Sequence, residues 1–193
     1  MAEPDLNQQI AARVRHLRAD RGITLEALAD RSGVSRSMIS LVERAETSPT
    51  AVLLEKLAAG LNVTLASLFE PPAGTASPVA RRSDQTAWRD PASGYVRRNI
   101  SPHFHPTPIQ IVEVTFPAGA RVAYDAAPRQ TPAHHQVWVL DGRIEVTVGE
   151  QTHELAAGDC LAFVLDRPTA YRNRTRKPAR YAVVMVADPG LPR

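Results

Sequence analysis

The sequence predicts a two-domain α + β chain in which a small all-α unit precedes an all-β unit. Three observations carry that reading. Residues 5–69 are rich in Leu and Ala at three- and four-residue steps and hold one proline, Pro49. Residues 71–86, PPAGTASPVARRSDQT, are rich in Pro, Ala, Gly and Ser with almost nothing to bury, which is linker composition. From about residue 87, Val, Thr, Tyr and Phe fall into short alternating runs broken by Pro and Gly, the pattern of strands. The expected division is therefore 1–70, a linker at 71–86, and 87–193.

Composition bounds the function. Of 193 residues, 44% are hydrophobic and 22% charged, which excludes a disordered or low-complexity chain. No apolar run approaches the roughly 20 residues that span a bilayer. The start, MAEPDLNQQ, is acidic and polar where a secretory signal is basic and then apolar. The single cysteine, Cys160, forms no internal disulfide and builds no thiolate metal cage. A soluble cytoplasmic protein without membrane partners is expected. Residues 1–70 hold 8 Lys and Arg against 9 Asp and Glu, and residues 71–193 hold 15 against 11. The net charge of +3 permits nucleic-acid binding without arguing for it.

Each helix announces its ends. Leu6, Ile10, Val14 and Leu17 share one face of a first helix that stops at Gly22. Thr24 caps a short helix carrying Leu25, Leu28 and Ala29, which ends at Ser32-Gly33, a glycine suited to the left-handed C-cap. Val34 is an apolar plug, and Ser35 caps SRSMISLVERA, with Met38, Ile39 and Val42 facing inward. Ser48-Pro49-Thr50 opens a fourth helix with Leu53, Leu54 and Leu57, ended by Asn62. A fifth runs from Thr64 to Phe69.

Two short helices joined by Gly33-Val34-Ser35 form a helix-turn-helix. The five-helix string resembles the Cro/repressor-like, or XRE, family of transcriptional regulators. Arg18, Thr24-Leu25, Leu28-Ala29, Gly33-Val34-Ser35, Ile39-Ser40, Glu43-Arg44, Pro49, Leu54, Leu57 and Leu68-Phe69 carry the likeness over about 65 residues. Two positions depart from it: Leu25, where relatives usually place a phosphate-binding Gln, and Ala45, where they usually place Gly. The resemblance implies that the second helix of the motif enters the major groove of double-stranded DNA. Thr24, Ser35, Arg36, Ser37, Ser40 and Arg44 are the expected DNA contacts, with Arg36 the side chain suited to grip guanine O6 and N7. The bland alternative is a row of solvated helix residues. By the same resemblance, Arg18 and Glu43 pair across the domain and steady the recognition helix.

In the β unit, Ile109, Ile111 and Glu113 alternate with Gln110, Val112 and Val114, followed by VWVLDG, RIEVTVGEQTHEL, AAGDCLAFV, RPTAYRN and RYAVVMV. Val148-Gly149-Glu150-Gln151 reads as a hairpin turn and Gly158-Asp159 as a tight turn into the next strand. The segment VLDGRIEVTVGEQTHELAAGDCLAF resembles the cupin family, which implies a double-stranded β-helix barrel over about 109–187. Counting back from Gly142 puts His135 at the family's metal-binding Glu, with Thr131 and Arg129 at its two upstream His positions. Thr169 stands at the remaining His position, while Gly158 and Asn173 keep the second motif's spacing. One imidazole with two hydroxyls does not make a tight transition-metal site, so no metal or other cofactor and no catalytic residue is expected. His103-Phe104-His105 has ligand-like spacing but lies between prolines, and reads as a solvated loop. Arg129, Thr131, His135, Thr169 and Tyr171, with Asn173 beside them, would instead line either a site for a small polar or anionic effector or a filled interior.

The expected function is a homodimeric DNA-binding regulator, dimerised through the cupin unit and reading a palindromic operator. Two rivals are a metal-dependent cupin oxygenase or isomerase with a DNA-binding head, and an antitoxin-like repressor whose β unit grips a protein.

Overall fold

Helix α1 (Leu6–Asp20) forms because Ile10, Val14 and Leu17 return to one face, and all three are buried. In the computed structural model, which describes residues 6–70, 77–103, 107–126 and 133–187, the next helices begin and end at the expected residues. The Thr24 hydroxyl accepts the Ala27 N–H at 3.1 Å to start α2 (Leu25–Ser32), and Gly33 ends it with φ 66°. Ser35 starts α3 (Arg36–Glu43) by accepting the Met38 N–H at 3.3 Å. Ile39 and Val42 are buried, whereas Met38 is half-buried. Thr50 caps α4 (Ala51–Gly60), and Asn62 ends it with φ 52°. A Cβ at Gly60 would meet Ser32 Cβ at 2.9 Å, so this glycine lets α4 close onto α2.

Among the described residues four α-helices form rather than five. The segment Leu65–Phe69 is a 3-10 turn of five residues, capped by Thr64. Pro71 follows Glu70 and disfavours helical backbone there, and Glu70 is accordingly extended (ψ 134°). The turn has too little length to relax into an α-helix. Its place is held by Arg13 of α1, which donates to Ser67 O at 3.0 Å and pairs with Glu70.

Among the described residues ten strands follow: β1 (Ala87–Arg89), β2 (Val96–Asn99), β3 (Ile109–Phe116), β4 (Arg121–Tyr124), β5 (Ala133–Asp141), β6 (Arg143–Val148), β7 (Gln151–Ala156), β8 (Cys160–Val164), β9 (Thr169–Arg172) and β10 (Ala179–Ala187). They make a six-stranded sheet, β1-β2-β3-β10-β5-β8, and a four-stranded sheet, β4-β9-β6-β7, with every pairing antiparallel. The expected closed barrel is therefore replaced by two packed sheets. Short strands at the rims explain this: β8 pairs only with β5 and β4 only with β9, so no ladder among the described residues joins the sheets. The expected turns are present. Val148 pairs with Gln151 across Gly149-Glu150, and Asp159 closes the Gly158 turn by accepting the Ala156 N–H at 2.8 Å.

One continuous core spans the helices and the sheets. Phe69 packs on Trp88 with ring centroids 5.4 Å apart. Asp90, almost fully buried, accepts the Ala51 N–H at 2.9 Å at the start of α4, and its other oxygen accepts from Ser93. Asn99 donates to Ala66 O at 3.2 Å, Thr64 bonds Gln110, and Lys56 pairs with Asp125 at 3.0 Å. Of the segment read as a linker, 71–76 lie outside the described residues. Residues 77–86 include a 3-10 turn at Arg82–Asp84, with Arg81 and Arg82 exposed.

Candidate nucleic-acid interface and ligand cavity

Helix α3 has two faces. Ile39, Val42 and Glu43 point into the core, which leaves Arg36, Ser37, Ser40 and Arg44 along the other side. Arg36 is exposed at the first helical position and has no hydrogen-bond or ion-pair partner among the described residues. Ser35 and Ser37 share a hydrogen bond at 3.1 Å, and Thr24 is exposed as the cap of α2. Arg44 is differently placed. Its guanidinium donates to Ser40 Oγ at 2.6 Å and to both Glu46 oxygens at 2.8 Å. That pairing raises the Arg44 pKa and holds the Glu46 carboxyl below its ordinary value. Arg44 therefore meets any phosphate only by exchanging Glu46 for it. Leu25, at the departing position, packs partly buried against the core.

Behind this face, Arg18 grips Glu43 bidentately at 2.6 and 2.8 Å and donates to Ile23 O at 2.9 Å. The hydrogen bond to Glu43 raises the Arg18 pKa against the opposing effect of burial. Glu43 is only 8% exposed, so this pair pins the C-terminal turn of α3 to α1.

Between the sheets and under α4 lies a cavity of about 70 Å3, room for several waters or one small ligand. His135 and Thr169, counted from the motif spacing, line it together with Tyr171. His135 stands on the inward register of β5, and its ring lies 5.6 Å from that of Phe163. Arg129 and Thr131 lie outside the described residues. Asn173, fully buried, belongs to the frame: it donates to Phe116 O and Lys177 O and accepts from Thr175. The cavity also holds groups that the spacing argument missed. Arg97 of β2, Glu55 of α4, and Tyr95, Tyr124 and Tyr181 all line it. Tyr171 stacks on Tyr181 at 5.8 Å, and Tyr95 Oη lies 3.3 Å from Tyr124 Oη. Burial pushes all four tyrosine hydroxyls above their ordinary range, so they remain neutral.

Metal chemistry fits this wall poorly. Among the described residues no three His, Cys, Asp or Glu side chains converge to hold an ion, and His135, Glu55 and Asp125 share the wall with a buried guanidinium and neutral hydroxyls, Asp125 being paired with Lys56. A guanidinium repels a divalent cation. His103, expected in a solvated loop, is half-buried, and desolvation lowers its pKa despite Glu70 nearby. His105 lies outside the described residues. No helix among the described residues is long and apolar enough to cross a membrane.

The chain resembles known regulators along most of its length. A helix-turn-helix family profile matches residues 14–68, and a cupin-domain profile matches residues 112–186. The HTH-type transcriptional regulator SutR of Escherichia coli (strain K12) is 28% identical over 169 residues, covering 88% of this chain and 89% of SutR. The uncharacterized HTH-type transcriptional regulator y4dJ of Sinorhizobium fredii (strain NBRC 101917 / NGR234) is 33% identical over 67 residues, 35% of this chain and 87% of that protein. The crystal structure of an HTH_3 family transcriptional regulator from Vibrio cholerae superposes with a TM-score of 0.76. It is 27% identical and covers 97% of this chain and 98% of its own. The fold and the exposed face of α3 thus define a DNA-binding regulator with a cupin unit. The chain belongs to the HTH-type transcriptional regulators of the XRE type.

Proposed function

We propose that this regulator is a homodimer that reads a palindromic operator with α3 and uses its cupin unit both to dimerise and to sense a small polar or anionic effector. The domains divide as 1–70 and 87–193 with 71–86 between them, and the protein works in the cytoplasm, where its DNA is. The observation that carries the reading is the exposed, unpartnered Arg36 at the head of α3, beside a row of small serines that let the backbone approach DNA closely. Thr24, Ser35, Ser37 and Ser40 are the supporting contacts, and Arg44 joins them by releasing Glu46.

The outer face of the six-stranded sheet supports dimerisation through the cupin unit. Trp138 is 49% exposed and Ile109 44% exposed there. The register sets Trp138 beside Ala182 and Ile109 beside Val186, with Val184 and Ile111 paired in the row between, and Glu113, Gln136 and His134 stand at the ends of these rows. Such an apolar stripe suits a self-complementary two-fold contact. Two copies also supply the surface that a single module lacks for tight specific binding. The poor fit of the cavity to a metal supports sensing over catalysis.

One experiment tests this. Genomic fragments selected by the purified protein should share an inverted repeat bound at two chains per site. The Trp138→Glu protein should be monomeric by light scattering and should bind that site at least tenfold more weakly. A single half-site bound by one chain, or a dimeric Trp138→Glu protein, would count against the reading.

A further inference from the structure

Arg97 is the one strongly basic group of the described cavity wall whose charge is not already engaged by an acid: Arg167 lies on the same wall, but its guanidinium is paired with Asp166. Arg97 is 7% exposed, and neither its Nε nor its Nη2 has a hydrogen-bond partner among the described residues. Burying a cation with two idle donors is costly unless a partner arrives. The alternation of β2 explains why it points inward: Val96 and Arg98 are half-buried on one side, while Arg97 and Asn99 are buried on the other. Its guanidinium carbon sits 5.6 Å from the ring centroid of Phe69, the last residue of the 3-10 turn. That contact orients the guanidinium but leaves both donors unsatisfied.

The geometry points to an oxyanion site in this cavity, in which Nε and Nη2 of Arg97 take the two oxygens of a small ligand carrying a carboxylate, sulfate or phosphate head. The two donors are parallel and coplanar, the fork that two oxygens on one centre fill. Tyrosine hydroxyls and Thr169 stand on the same wall as neutral hydrogen-bonding groups, and Phe116, Val183 and Met185 accept an apolar body. The other titratable groups of the wall are Glu55, His135 and Asp125, the last paired with Lys56.

This site rests on the reading of the cupin unit as a sensor and says how the signal leaves it. Glu55, Thr64 and Leu65 of the helical unit form part of the cavity wall, and Phe69 lies against Arg97. A ligand seated on Arg97 therefore touches both units at once. Its binding favours whichever docking of the helical unit suits it better.

The test is the melting of the full chain in sodium acetate, pyruvate, sulfate and phosphate, against chloride at equal ionic strength. A saturable rise in melting temperature is expected with carboxylates or with tetrahedral oxyanions, and which series saturates at lower concentration identifies the head group. Arg97→Met should lose the saturable part and keep only the linear salt effect. Arg97→Lys, which keeps the charge without the fork, should need at least tenfold more anion. Equal saturable shifts in wild type and Arg97→Met, or no saturable shift with any of the four anions, would overturn the site. If Arg97→Met does not fold, the Arg97→Lys titration decides alone, and an unchanged midpoint there would overturn it. DNA binding is read in the same preparations. The folded Arg97 variants should still bind the selected DNA without anion, whereas wild-type protein that binds no DNA speaks against the regulator reading and not against the anion site.

Discussion

Arg36 and Arg44 sit eight residues apart on one helix face, yet their positions set different roles. Arg36 is exposed and has no partner among the described residues, so a base contact there would break no bond within them. Arg36→Ala is expected to weaken binding to the selected operator by about 1–3 kcal/mol, with a much smaller loss on random DNA. Competition binding at fixed salt measures both; equal losses would make Arg36 a phosphate contact only. Arg44 begins in a closed triangle with Ser40 and Glu46, and it gains a phosphate only as it gives up a carboxylate. Its net contribution to affinity is therefore smaller than a count of charges suggests.

At the scale of elements, the turn after α3 carries the clearest local strain. Ala45 takes φ 57°, with its N–H bonded to Val42 O at 3.0 Å and the Glu46 N–H to Leu41 O at 2.9 Å. These two bonds make a Schellman stop with a Cβ where none is wanted. Ala45→Gly should stabilise the chain by roughly 0.5–1 kcal/mol, seen as a higher urea midpoint at unchanged slope. A lower midpoint would mean that the entropy added to the unfolded chain outweighs the relief. Helix ends were legible in the sequence because their chemistry is local: Thr24, Gly33, Ser35 and Thr50 each satisfy or turn their own neighbourhood. The last turn was misread as an α-helix, since its apolar spacing said nothing of the proline that follows. His135 and Thr169 were found by counting within one family register. Arg97 was hidden beside Arg98 in a four-residue strand, where a pair of arginines looks like surface. Glu55 reaches the cavity from another unit, and no local pattern announces a contact made by docking.

Across the whole molecule, docking rather than tethering holds the two units together. Phe69 on Trp88, Asp90 on α4 and Lys56 on Asp125 cross the junction independently of the segment between 71 and 86. Brief trypsin treatment should cut after Arg81 or Arg82, which are exposed, and the two pieces should still elute together in gel filtration. Pieces that separate would show that the covalent connection is what keeps the units in register. The same docking links the cavity to the helical unit, because α4 packs on α2 through Gly60 while its Glu55 stands in the cavity wall.

Asp90 has a consequence for how the protein is made. The Ala51 N–H, at the first turn of α4, donates its hydrogen bond to a carboxylate 39 residues downstream. During synthesis the helical unit emerges first, but α4 lacks that partner, and Phe69 lacks Trp88, until the β1–β2 hairpin has followed. The helical end of the nascent chain therefore begins folding first and completes its packing only when the first strands have followed, so a chain stopped before Trp88 and Asp90 leaves Phe69 and the start of α4 without their partners.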